Sequence, residues 1–228
     1  MEKVGFIGAY DKEDLIMYIA KILVELDKKV MVIDSTITQK MKYIIPTIDP
    51  TTSYVTDHEK IDFAIGFKSF AELSNYLGIE NFETSDYDYV LINIDNSEEL
   101  EVFDMQNAHR NYFVTSFDMY SLKKGLEIVD GIKNPIALTK ILYSTSISQE
   151  DDEYLNYLSL GKKVKWDEEK IYFPLDIEDK EIILENQRVA KIRIKGLSNL
   201  YKEALIEVTE QILAENEKIN VKRIVRQL

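Results

Sequence analysis

The residues with the most chemical potential in this sequence are one lysine and three carboxylates in a single short turn, Gly8-Ala9-Tyr10-Asp11-Lys12-Glu13-Asp14. A glycine followed by a lysine where a helix opens is the raw material of a phosphate cradle. Backbone amides at a helix N-terminus aim partial positive charge at an anion, and a lysine adds a full one. Two further acids, Asp34 and Asp95, end runs of apolar β-formers. Open α/β sheets collect their ligands outside such strand ends.

The charge of the turn argues against that use. A phosphate cradle needs glycines that reach positive φ and let oxygens approach closely, and it must be net positive. Here there is one glycine, and Asp11, Glu13 and Asp14 outnumber Lys12. Like charges about 4 Å apart cost on the order of 1 kcal/mol in water and about 4 kcal/mol near a protein surface. The structural alternative is that Asp11 or Asp14 caps the helix beginning at Leu15, with Lys12 a solvated charge neighbour of Asp11 and Glu13. His58 and His109 are too isolated for a zinc site or a triad, and no metal site is expected.

The elements around the turn are legible from periodicity. Residues 4–9 read as a buried strand, 15–26 as a helix with apolar residues at helical spacing, and 30–33 as a second strand ending at Asp34. Residues 36–45 read as a short helix stopped near Pro46, 48–59 as a polar loop, and 61–65 as a short strand. A helix over 69–77 is capped by Ser69 and ended by Gly78. Residues 88–94 are almost wholly apolar after Asp88, the pattern of a central parallel strand. Then follow a strand over 111–116, a helix over 118–129, a strand over 137–144 and a helix over 151–160. Residues 170–174 and 189–194 read as short strands or extended segments, and 198–212 as a strong terminal helix. The alternation predicts an α/β fold in a single domain over 1–215, a mostly parallel central sheet with helices on both faces.

Composition bounds the rest. The chain has 228 residues, 45% of them hydrophobic, enough for one large core, and no cysteine, which excludes disulfides and thiolate sites. A net charge of −13 argues against general nucleic-acid binding. No signal peptide or long apolar run is present, so a cytoplasmic location is expected. Residues 216–228 form a basic amphipathic tail. Over 220–228, Val221, Ile224, Val225 and Leu228 cluster on one side of a helical wheel, with Lys222, Arg223 and Arg226 on the other. Such a tail docks on its own domain or a partner, or lies peripherally at the inner membrane face.

Four separated stretches, in order, resemble the MinD/ParA family of P-loop ATPases. They are LIMYIAKILVELDKKVMVID (15–34), SDYDYVLINID (85–95), YFVTSFDMYSLKKGLEIV (112–129) and FPLDIEDKEIILENQRV (173–189). The resemblance implies a three-layer P-loop NTPase fold. It also places the family's K-G-G-x-G-K-S/T-S/T loop on residues 7–14. Gly8 and Lys12 match; the signature lysine is Ile7, two glycines are Ala9 and Asp11, and the magnesium-binding hydroxyl is Glu13. The family's D-x-D-P falls on Asp34-Ser35-Thr36-Ile37, without the second aspartate, and the Walker B-like aspartate falls on Asn93, with Asp95 two residues on. The expectation is a degenerate nucleotide site (Gly8, Asp11, Lys12, Glu13, Asp34, Asn93, Asp95) with no catalytic residue, no metal and no cofactor. The implied role is a pseudo-ATPase of the TadZ/CpaE type, an adaptor or positioning factor in secretion, pilus or conjugation machinery. It would work through protein partners, as a homodimer or paired with an active paralogue. The alternative is an active ATPase using ATP and magnesium through Lys12, Asp34 and Asp95.

Overall fold

The computed structural model describes residues 1–47, 52–145 and 149–228. Eight strands, β1 (Glu2–Ile7), β2 (Val30–Asp34), β3 (Tyr54–His58), β4 (Ile61–Ile65), β5 (Tyr89–Ile94), β6 (Arg110–Ser116), β7 (Ile136–Ser144) and β8 (Val164–Pro174), form one sheet. Their order is β3-β4-β2-β5-β1-β6-β7-β8, and every pair is parallel except β3 with β4. The helices are α1 (Glu13–Glu25), α2 (Met41–Ile44), α3 (Phe70–Leu77), α4 (Ser97–Val102), α5 (Met119–Asp130), α6 (Gln149–Leu158), α7 (Ile177–Arg188), α8 (Asn199–Ile212) and α9 (Val221–Gln227).

Strand periodicity splits the core in two. Val4, Phe6, Val32, Leu91 and Val114 point to the face covered by α1, α8 and α9, while Ile7, Ile33, Ile92 and Phe113 point to the face covered by α3, α4 and α5. The register sets Asn93 beside Asp34 on one side and Phe6 on the other. Both polar residues therefore share Phe6's face, under the first turn of α1. The sheet alone delivers them there.

Several sequence expectations are corrected. The supposed loop over 48–59 contains β3, an antiparallel edge strand; residues 48–51 of that stretch lie outside the described residues. Residues 189–194 form no strand; Val189 and Ala190 turn out of α7, and Ile192 and Ile194 are buried in the core. Helices α4 and α7 were not read from periodicity. Most of α7 faces water, so it carries little apolar repeat.

The basic tail is folded onto the domain. Val221, Ile224 and Val225 are buried in the same core as α1 and α8, leaving Lys222, Arg223 and Arg226 outside. Among the described residues, no helix is long and apolar enough to cross a membrane. Because Ile224 is buried here, Ile224→Ala is expected to cost about 2 kcal/mol in urea denaturation. An unchanged midpoint would mean that the tail is not docked.

Candidate functional site

The chain leaves β1 through Gly8, whose φ of +143° suits a residue without a Cβ. A Cβ there would also lie 2.3 Å from the carbonyl oxygen of Val114 on β6. Gly8 is thus fixed by the approach of two backbones, whatever the loop binds. From there the turn reaches α1 at once, with Lys12 as the residue before the helix.

Lys12 is 3% exposed, and its Nζ donates to the Gly8 carbonyl at 2.7 Å. The ammonium closes its own loop. Burial pushes the Lys12 pKa down, an effect opposed by Glu13, Asp95, Asp34 and Asp11. The expectation of a solvated Lys12 is therefore wrong. The expectation that Asp11 caps α1 is wrong as well, whereas Asp14, inside the first turn, accepts from its own backbone amide. No side chain at the position before the helix caps it; instead Glu13 folds back, and its Oε2 accepts from the Lys12 backbone amide at 3.0 Å. Asp11 pairs with Lys40, and Asp14 accepts from Gln187 Nε2 on α7 at 2.8 and 3.1 Å.

Beneath the turn, Asn93 joins two carboxylates through long contacts: its Nδ2 lies 3.5 Å from Glu13 Oε1 and 3.4 Å from Asp34 Oδ1. Asp34 is fully buried and accepts from Thr36 Oγ1 (2.6 Å), Thr36 N (3.2 Å) and Met41 N (3.1 Å). Burial pushes its pKa up against these hydrogen bonds. Asp95 accepts from Ile37 N at 2.9 Å. Gly8, Lys12, Glu13, Asp34 and Asn93 thus form one cluster. Asp11, Lys12, Glu13 and Asp95 also line a cleft of about 440 Å³ with Asp118, Lys40 and Lys124. That lining holds four carboxylates and three lysines, and all three lysines are already engaged, Lys12 by the Gly8 carbonyl, Lys40 by Asp11 and Lys124 by Glu127.

Sequence reasoning missed Thr36, Lys40, Asp118 and Gln187. Asp118 had a readable signal, an acid three residues before Ser121, whose amide its Oδ1 accepts from at 2.9 Å. The Lys40 and Gln187 partnerships had none, since they join distant segments. Lys222, Arg223 and Arg226 do not join the cluster; Lys222 and Arg226 line a separate groove with Glu203 and Glu207 on α8. His109 donates or accepts at Nε2 toward Ile212, and His58 lies by Phe63, so neither histidine lies in the cluster. Among the described residues, no group of three or more His, Asp or Glu side chains is disposed to hold a metal ion.

Strand order, the β1–α1 turn and the acids at the ends of β2 and β5 can be set against solved structures. A ParA-family ATPase from Chlorobium tepidum matches with a TM-score of 0.60 and 15% identity over 90% of this chain and 96% of that one. The fold is that of the MinD/ParA ATPases. The septum site-determining protein MinD of Pyrococcus horikoshii, solved with Mg-ADP, matches at 0.59 and 15% identity (92% and 95% covered). The MinC:MinD cell division complex of Aquifex aeolicus matches at 0.58 and 13% identity (93% and 96% covered). No protein-family model and no curated sequence matches.

Asp14 carries a pH signature. Burial pushes its pKa up to about 7, Gln187 opposes this, and Glu13 and Asp11 add to it. The folded chain therefore binds this proton more tightly than the unfolded one. The stability gained from protonation is lost as pH rises from about 4 to about 7. Asp14→Asn is expected to match wild type near pH 4 and to melt several degrees higher at pH 8. A difference that does not vary with pH would contradict the assignment.

Proposed function

We propose that this chain is a non-catalytic protein on the MinD/ParA fold, an adaptor or positioning factor in a larger assembly, its nucleotide site closed by its own side chains. One observation carries the reading: the groups that would grip a phosphate are satisfied internally. The Lys12 ammonium is on the Gly8 carbonyl, and the Lys12 amide is on the Glu13 carboxylate. An incoming triphosphate would have to displace both contacts and sit beside Asp11, Glu13 and Asp95. Each like-charge approach is unfavourable, and among the described residues that line the cleft no free lysine offsets it.

The donor set does not fit magnesium-nucleotide either. In the resemblance, a hydroxyl opens the helix and a carboxylate ends the strand. Here the carboxylate is on the helix, Glu13, and the amide is on the strand, Asn93. That exchange keeps a tie between α1 and β5 without a metal between them. Glu13 and Asn93 thus support a degenerate Walker A loop with a structural role.

A protein partner is the natural use of such a scaffold. MinD of Aquifex aeolicus, on the same fold, is solved in complex with MinC. Secretion, pilus or conjugation machinery is the setting suggested by the TadZ/CpaE resemblance. In the proposed state, isothermal titration with Mg-ATP gives no saturable heat into the millimolar range, and phosphate release stays at background in wild type and in Lys12→Ala. Low-micromolar binding, or release that disappears in Lys12→Ala, would establish the active-ATPase reading instead.

A further inference from the structure

A second, larger cleft of about 680 Å³ adjoins the first. It lies between the β1–α1 turn, α2, the end of β8 and α7. Tyr10 and Tyr143, with ring centroids 4.8 Å apart, line it together with Tyr201. Its rim carries apolar side chains that face water: Tyr43 is 84% exposed and Ile177 76%, with Leu175 and Leu184 exposed beside them. Single exposed apolar residues are ordinary, but four around one concavity mark an interaction surface.

The charge in the cleft is one-sided. Five carboxylates line it against two lysines, Lys40 and Lys180. Lys40 is taken by Asp11. Asp176 and Asp179 are held by amides at Glu178 and Ser198. Asp14 accepts from the neutral Gln187 side chain and from its own backbone amide, and among the described residues no cation pairs with it.

We propose that this cleft docks a basic segment of a partner protein, an arginine or lysine flanked by apolar residues. The cationic head meets Asp14, its aliphatic stem lies along Tyr10 and Leu184, and the flanking residues cover Tyr43 and Ile177. This deepens the adaptor reading and rests on it. A second copy of the chain is the poorer occupant. A two-fold pairing of the chain through this cleft would set its five carboxylates against the same five of the other copy. A polyanion fails on the same ground.

A random peptide library displayed on phage, panned on the full chain, tests the proposal. The enriched sequences are expected to carry Arg or Lys beside Leu, Ile or an aromatic residue. A synthetic peptide of that sequence should bind wild type and lose about tenfold or more in Kd with Asp14→Asn and with Ile177→Ser. Ile177 is exposed, so its variant tests the surface without disturbing the core. An acidic or uncharged consensus, or equal enrichment on a Tyr43→Ser/Ile177→Ser variant, would overturn it. So would a homodimer in light scattering that those substitutions dissolve. Mg-ATP titration of the same protein keeps the two readings apart: nucleotide binding with peptide binding intact removes the non-catalytic reading and leaves the docking site standing.

Discussion

The hydrogen bond from the Lys12 ammonium to the Gly8 carbonyl organises the end of the sheet where ligands would bind. A buried cation without a partner costs several kcal/mol, so Lys12 must either meet an anion or close on a carbonyl nearby. Here it closes on the loop that carries it. Once it does, the loop is compact, Glu13 can reach back to the Lys12 amide, and Asp11 is left outside to pair with Lys40 on the next segment. The same lysine that could hold a phosphate holds the turn instead.

That arrangement depends on the sheet as much as on the turn. Parallel register aligns Asp34, Asn93 and Phe6 in one row across three strands, so the polar ends of β2 and β5 meet the start of α1 without any loop having to bring them. Asn93 is what makes the row tolerable. An aspartate there would put a third carboxylate between Glu13 and Asp34, and the amide instead donates toward both. Asp34 is also used structurally, since it accepts the amides that turn the chain into α2. Acids at strand ends are thus spent on local hydrogen bonds, and the larger of the two clefts beside them is rimmed by apolar side chains.

Much of the fold is legible in the sequence. The apolar run of β5, the helical spacing of α1 and the alternation of strands and helices are strong local signals, and they led to the right fold. Gly8, Lys12, Glu13, Asp34 and Asn93 were named together because four stretches of the chain align in order with one family. The direction of the Lys12 side chain is not legible in the sequence: a lysine between two acids looks solvated, but its ammonium turns back onto the Gly8 carbonyl and is buried there. Edge strand β3 was missed because it is short and polar, as edge strands often are. Helix α7 was missed because one side of a covering helix carries little apolar pattern, and so the Asp14–Gln187 contact and the larger cleft were invisible too.

The most direct measurement of the central claim is a crystal structure of the chain grown with saturating Mg-ATP. The account predicts the Lys12 ammonium on the Gly8 carbonyl, the Glu13 carboxylate on the Lys12 amide, and no ordered phosphate against the turn. Ordered phosphates and magnesium bound at that turn, with Lys12 swung out to meet them, would contradict it.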